Sequence, residues 1–99
     1  MKTSELTGAA LDWAVGKADQ CDFAPVKYST KWEFGGPIIE QENMDLMRLD
    51  YDRGWKSVNY DQTVKAYGPT PLIAAMRCYV ASKLGDEVDV PAKLLGDKA

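Results

Sequence analysis

Apolar residues recur at helical spacing in two segments of this chain and alternate with polar ones in the stretch between them. In GPTPLIAAMRCYVASKLG (68–85), Leu72, Ala75, Met76, Tyr79 and Val80 form a broad stripe that Lys83-Leu84 extends, with Ile73 and Cys78 beside it. Both ends of this helix are written in the sequence. Thr70 is a good N-cap, Pro71 occupies the first helical position where a missing N–H costs nothing, and Gly85 is a left-handed stop. Near the N-terminus Leu6, Ala10, Trp13, Ala14 and Ala18 predict a helix over about 6–18, with Leu11 and Val15 widening its stripe and Trp13 in the core.

The middle of the chain changes period. Alternation over 45–51 predicts a strand, Asp52-Arg53-Gly54 a hairpin turn, 55–60 the return strand and 63–67 a third strand. Residues 26–28 read as a short extended piece. Ser29 to Pro37 reads as an aromatic-bearing loop closed by Gly35-Gly36-Pro37, and 37–43 as a short helix or turn with Pro37 near its start. The predicted fold class is α+β, with the N-terminal and C-terminal helices packed on one face of a small antiparallel sheet. One domain spans 1–99, and 86–99 is expected to be a loosely attached tail.

Composition narrows what such a domain can do. At 99 residues the chain supports one modest core, burying roughly two-thirds of the surface its unfolded form exposes. Its formal charge is −3, the acidic excess lies in residues 1–50, and no basic stripe exists, so duplex nucleic acid is not an expected partner. No apolar run is long enough to span a membrane and the start is unlike a signal peptide, which makes the cytoplasm the expected compartment. Histidine is absent, which removes the commonest metal ligand, the usual neutral-pH base and any Ser-His or Cys-His pair. Cys21 and Cys78 match no metal spacing and read as free thiols, Cys78 on the buried side of its helix. Glu40 and Glu42, with Glu33 and Asp45 nearby, form the densest carboxylate group, and a solvated surface explains them better than catalysis. No enzyme activity, no cofactor and no metal centre are expected.

Binding chemistry has more support. Tyr28, Trp32, Tyr51, Trp55, Tyr60 and Tyr67 all lie outside the two predicted helices, more aromatics than the core needs, and the surplus suits stacking on a flat ligand or anchoring an interface. Gly35 and Gly36 let a backbone approach a ligand closely. The end of the helix at Gly68-Pro69-Thr70-Pro71 offers free N–H groups and a positive dipole to an anion, with Arg77 reaching back toward it. A plain cap explains the same residues. The expected ligand-binding set is therefore Trp32, Gly35, Gly36, Trp55, Gly68, Thr70 and Arg77.

Four stretches carry a resemblance: SELTGAALDWAV (4–15), YSTKW (28–32), GGPIIEQE (35–42) and GPTPLIAAMRCYVASKLGDEV (68–88). Through them the chain resembles the NinX family of small lambdoid-phage and prophage proteins. The resemblance implies a phage accessory product acting in the bacterial cytoplasm and supplies no catalytic residues. Small accessory phage proteins often bind a host protein or sequester a nucleotide-derived immune signal, an analogy of context rather than of site. The expectation is a non-enzymatic module that captures a small anionic, nucleotide-like ligand, and the alternative is a module that binds a host or phage protein. A homodimer or higher even-numbered assembly is also expected, with Trp32 or Trp55 near the contact.

Overall fold

The computed structural model describes residues 2–19, 26–49 and 54–90. A 3-10 turn at Thr3–Glu5 leads into helix α1 (Gly8–Ala18), followed by α2 (Trp32–Gln41), strands β1 (Asp45–Arg48), β2 (Trp55–Val58) and β3 (Lys65–Gly68), and helix α3 (Pro71–Leu84). The strands form an antiparallel sheet in the order β1-β2-β3, so the fold is α+β with helices against a small sheet.

Helix α3 touches every other element, which explains why it is apolar nearly all round. Its Leu72 faces α2, where it meets Gly35. Cys78 faces the sheet, its thiol donating to Val64 O at 3.6 Å, and Tyr79 reaches the end of α1, its hydroxyl donating to Asp19 Oδ1 at 3.2 Å. Met76 and Val80 have no exposed surface. Leu84, placed on the stripe by its spacing, lies beyond the layer that covers α3 and is exposed. The Thr70 hydroxyl accepts from Ile73 N–H at 3.1 Å and Gly85 takes a φ of 91°, so the boundaries fall where the capping residues predict.

The sheet shows α3 its smallest residues. The register aligns Leu46 with Ser57 and Ser57 with Ala66, and the burial of Ser57 and Ala66 lets the helix lie close. Gly54 has a φ of 97°, and a Cβ there would come within 2.5 Å of Gly68 O, so glycine is required where β2 begins. Residues 50 and 51 of the predicted first strand, and Asp52 and Arg53 of the predicted hairpin turn, lie outside the described residues. The second turn is closed by Asn59, whose N–H donates to Val64 O at 3.1 Å while its side-chain oxygen accepts from Val64 N–H at 2.9 Å.

Helix α2 departs most from expectation. The expected loop with its Gly35-Gly36-Pro37 stop is helical from Trp32 onward, and residues 26–28 form no strand. A Cβ on Gly35 would lie 2.5 Å from Tyr28 O and 2.6 Å from Leu72 Cδ1, so this glycine permits close packing of α2 on its neighbours. Tertiary contact overrides local helix-breaking chemistry, although Pro37 still removes the N–H that would serve Glu33 O. Helix α1 begins at Gly8, two residues later than its stripe suggests, because Leu6 is buried as part of an extended entry. Trp13 packs against the core from its margin, with the Lys17 ammonium 5.8 Å from its ring centre.

The beginning of the predicted tail is tied down. Thr3 N–H donates to Asp86 O at 2.7 Å, the Thr3 hydroxyl donates to Gly85 O at 2.7 Å, and Lys2 pairs with Glu87 in an antiparallel bridge. Val88 enters the core and Val90 packs on it, while residues 91–99 lie outside the described residues.

A candidate ligand-binding cleft

Arg77 leaves α3 near its midpoint and joins two distant parts of the backbone. Its Nε donates to Leu6 O at 2.8 Å and its Nη1 donates to Tyr67 O at 2.7 Å. The guanidinium thus links the entry to α1 with β3, and this double hold fixes its plane. Burial lowers its pKa from the usual value, yet a guanidinium stays charged in any protein environment. Among the described residues no carboxylate pairs with it. Among the described residues, this half-buried positive charge meets backbone carbonyls rather than a carboxylate.

Beside Arg77 opens a cleft of about 680 Å³ between β3, the 3-10 turn and the chain just beyond α3. That volume lies within the range of ligand sites, ~300–1,000 Å³. Lys65, Tyr67 and Gly68 form one wall, and Lys2, Thr3, Ser4, Asp86 and Glu87 form the other. The β2–β3 register aligns Lys56 with Tyr67 and Val58 with Lys65, putting Lys65 and Tyr67 on the sheet face opposite Ala66. Tyr67 is 51% exposed.

The structure brings together two of the expected ligand-binding residues, Gly68 and Arg77, and places the other five elsewhere. Thr70 caps α3. Of the donors at that helix end, Pro71 has none, Ile73 N–H goes to the Thr70 hydroxyl, and Ala74 N–H goes to Thr70 O at 3.0 Å. Gly68 lies so close over this turn that a Cβ would come within 2.8 Å of Ala74 N. Gly35 and Gly36 are inside α2, where Gly36 faces the Trp32 ring and Gly35 is packed against Leu72. Trp32 is exposed at the start of α2, and Trp55 is half-buried on β2 between its pairing partners Arg48 and Gly68.

Sequence reasoning missed Lys2, Lys65, Asp86 and Glu87, which come from segments far apart in the chain and share no motif. Thr3 holds one wall by its two hydrogen bonds, to Asp86 O and Gly85 O. The acidic group expected around Glu40 and Glu42 is dispersed. Glu33 and Glu40 are exposed, and Glu42 pairs with Lys83 at 3.5 Å. Among the described residues no three acidic or cysteine side chains converge to hold a metal ion. No described helix is long and apolar enough to cross a membrane.

A family model described as Bacteriophage P22, NinX matches residues 21–83, more than half of the chain, including β3 and nearly all of α3. No curated protein matches the chain.

Proposed function

We propose that this phage accessory protein, which belongs to the family described as Bacteriophage P22, NinX, is a binding module that captures a small anionic, nucleotide-like ligand in the cleft beside Arg77. The observation that carries this reading is the Arg77 guanidinium, held rigidly by two backbone carbonyls and lacking a carboxylate counter-charge among the described residues. A preorganised cation flanked by Lys2 and Lys65 favours an anion, because little side-chain freedom remains to be lost on binding. Tyr67 adds an aromatic face beside it. The module works without catalysis, inside the infected bacterium, and removing a host signalling nucleotide from circulation is the use we assign to it.

Thermal unfolding against a panel of nucleotides and cyclic nucleotides tests the proposal. A ligand at a hundredfold excess over its Kd stabilises the folded state by about 2.7 kcal/mol, which moves the midpoint of so small a domain by several degrees. Lys65→Glu reverses one charge of the cleft on an exposed strand residue and is expected to remove the shift while leaving the unliganded midpoint in place. No shift with any member of the panel would overturn the proposal.

The runner-up reading, a partner-binding protein, is favoured by Trp32 and Phe34, which are 52% and 41% exposed in the first turn of α2. The same pair would serve a second copy of the chain. Sedimentation of the parent beside Trp32→Ala separates these cases. Self-association lost in the variant supports the dimer, and a monomer in both leaves only a foreign partner for this surface.

A further inference from the structure

The free edge of β3 carries a pattern in its backbone that the side chains around it do not. On one side of β2, Leu49 N–H donates to Gly54 O at 2.9 Å, and on the other Asn59 N–H donates to Val64 O at 3.1 Å. Hydrogen-bonded pairs recur at every second residue of an antiparallel ladder, so the even residues of β2 bond to β1 and its odd residues to β3. Ala66 and Gly68 therefore bond to their β2 partners Ser57 and Trp55, while Lys65 and Tyr67 turn their N–H and C=O groups away from the sheet. Tyr67 O accepts from Arg77 Nη1. Among the described residues the other outward groups, Lys65 N–H, Lys65 O and Tyr67 N–H, have no partner.

The cleft runs along this edge, because every residue of β3 lines it. On its far wall stands a second extended piece of backbone, Lys2 in its antiparallel bridge with Glu87. We infer that the β3 edge binds an extended peptide segment of another protein, which joins the sheet beside Lys65 to Tyr67 and ends against Arg77. A donor, an acceptor and a donor in one row are answered by the alternating C=O and N–H groups of a peptide backbone, whatever its sequence. The guanidinium already holds Tyr67 O, the acceptor that would carry the ladder onward, so pairing stops there. Side chains of the added strand would alternate between the Ala81 side of the cleft and the outer face of the sheet. On that outer face the Tyr67 ring favours an aromatic or β-branched neighbour. This inference goes beyond the anion reading and rests on backbone groups of β3 instead of the Arg77 charge.

A displayed library of short random peptides, screened against the full chain, supplies the probe. The tightest binder is remade with blocked ends, which keep a terminal carboxylate away from Arg77, and with single N-methyl groups placed along its backbone. Methylation is expected to cost tenfold or more in affinity at alternate residues and less than threefold at those between. Tyr67→Pro deletes an outward N–H that β2 does not use, and its melting midpoint checks that it folds. The variant is expected to bind the unmethylated peptide at least tenfold more weakly than the parent. A library without a binder, methylation losses that do not alternate, or full affinity in a folded Tyr67→Pro overturns the inference and leaves the anion site standing. Self-association of the parent that Tyr67→Pro abolishes gives the edge to a second copy and overturns it as well. Failure of the nucleotide panel removes the anion reading and leaves the peptide site standing.

Discussion

The two flanks of α3 answer the same question differently. At its N-terminus, the GPTP turn presents features of an anion site, yet Ile73 N–H and Ala74 N–H are already spent on Thr70. Thr70 takes Ile73 N–H and Gly68 packs against the turn at Ala74. Halfway along, Arg77 has no recognisable motif around it, and there a charge with no carboxylate partner among the described residues faces a cleft. A helix end can hold an anion only with donors that the fold leaves unused. On the function proposed above, a single arginine takes that role where the fold fixes its geometry and leaves its charge for a ligand.

The largest expected effect tests the scaffold that both flanks share. Met76 has no exposed surface and sits in the element every other element touches, so Met76→Ala is expected to cost about 2–5 kcal/mol in urea unfolding. Next comes Arg77→Ala, which releases two backbone carbonyls from a charged donor and is expected to cost about 1.5–3 kcal/mol and to abolish ligand-induced stabilisation. Thr70→Ala removes the cap and is expected to cost about 1 kcal/mol while leaving ligand affinity unchanged. Lost affinity in Thr70→Ala with full affinity in Arg77→Ala would invert the comparison.

The smallest effect at neutral pH concerns Tyr79. Burial first, and the negative charge of Asp19 second, raise its phenol above the ordinary tyrosine value near 10. Ionisation is therefore easier in the unfolded chain than in the folded one. The folded form keeps its full stability below that ordinary value and loses it as pH rises from there toward the raised folded value. Tyr79→Phe is expected to cost about 0.5–1 kcal/mol at pH 7, for one long hydrogen bond, and to flatten the alkaline decline. Unfolding midpoints measured between pH 7 and 11 show both.

Helix α3 was legible because its apolar spacing, its N-cap and its closing glycine agree with one another. The strands were legible because alternation and turn residues bracket them. Helix α2 was not, since Gly35-Gly36-Pro37 argues locally for a stop, and only the contact of Gly35 with Leu72 and Tyr28 explains the glycine. The cleft was half legible at best. Arg77 and Gly68 belong to the readable helix and its entry, whereas Lys2, Lys65, Asp86 and Glu87 become neighbours only when the Lys2–Glu87 bridge closes the chain beside β3. Proximity of that kind leaves no trace in the spacing of residues.

The central claim is that ligand enters the Arg77 cleft and not the N-terminus of α3. Amide chemical shifts of the isotope-labelled chain, followed while nucleotides, cyclic nucleotides and phosphate are added, test it most directly. The account predicts saturable shifts at Lys2, Thr3, Lys65, Tyr67, Asp86 and Glu87 and at the Arg77 side-chain Nε–H, with Leu72 to Ala74 and Gly36 unmoved. Shifts confined to Leu72–Ala74 and the α2 glycines, or no saturable shift at all, would contradict it.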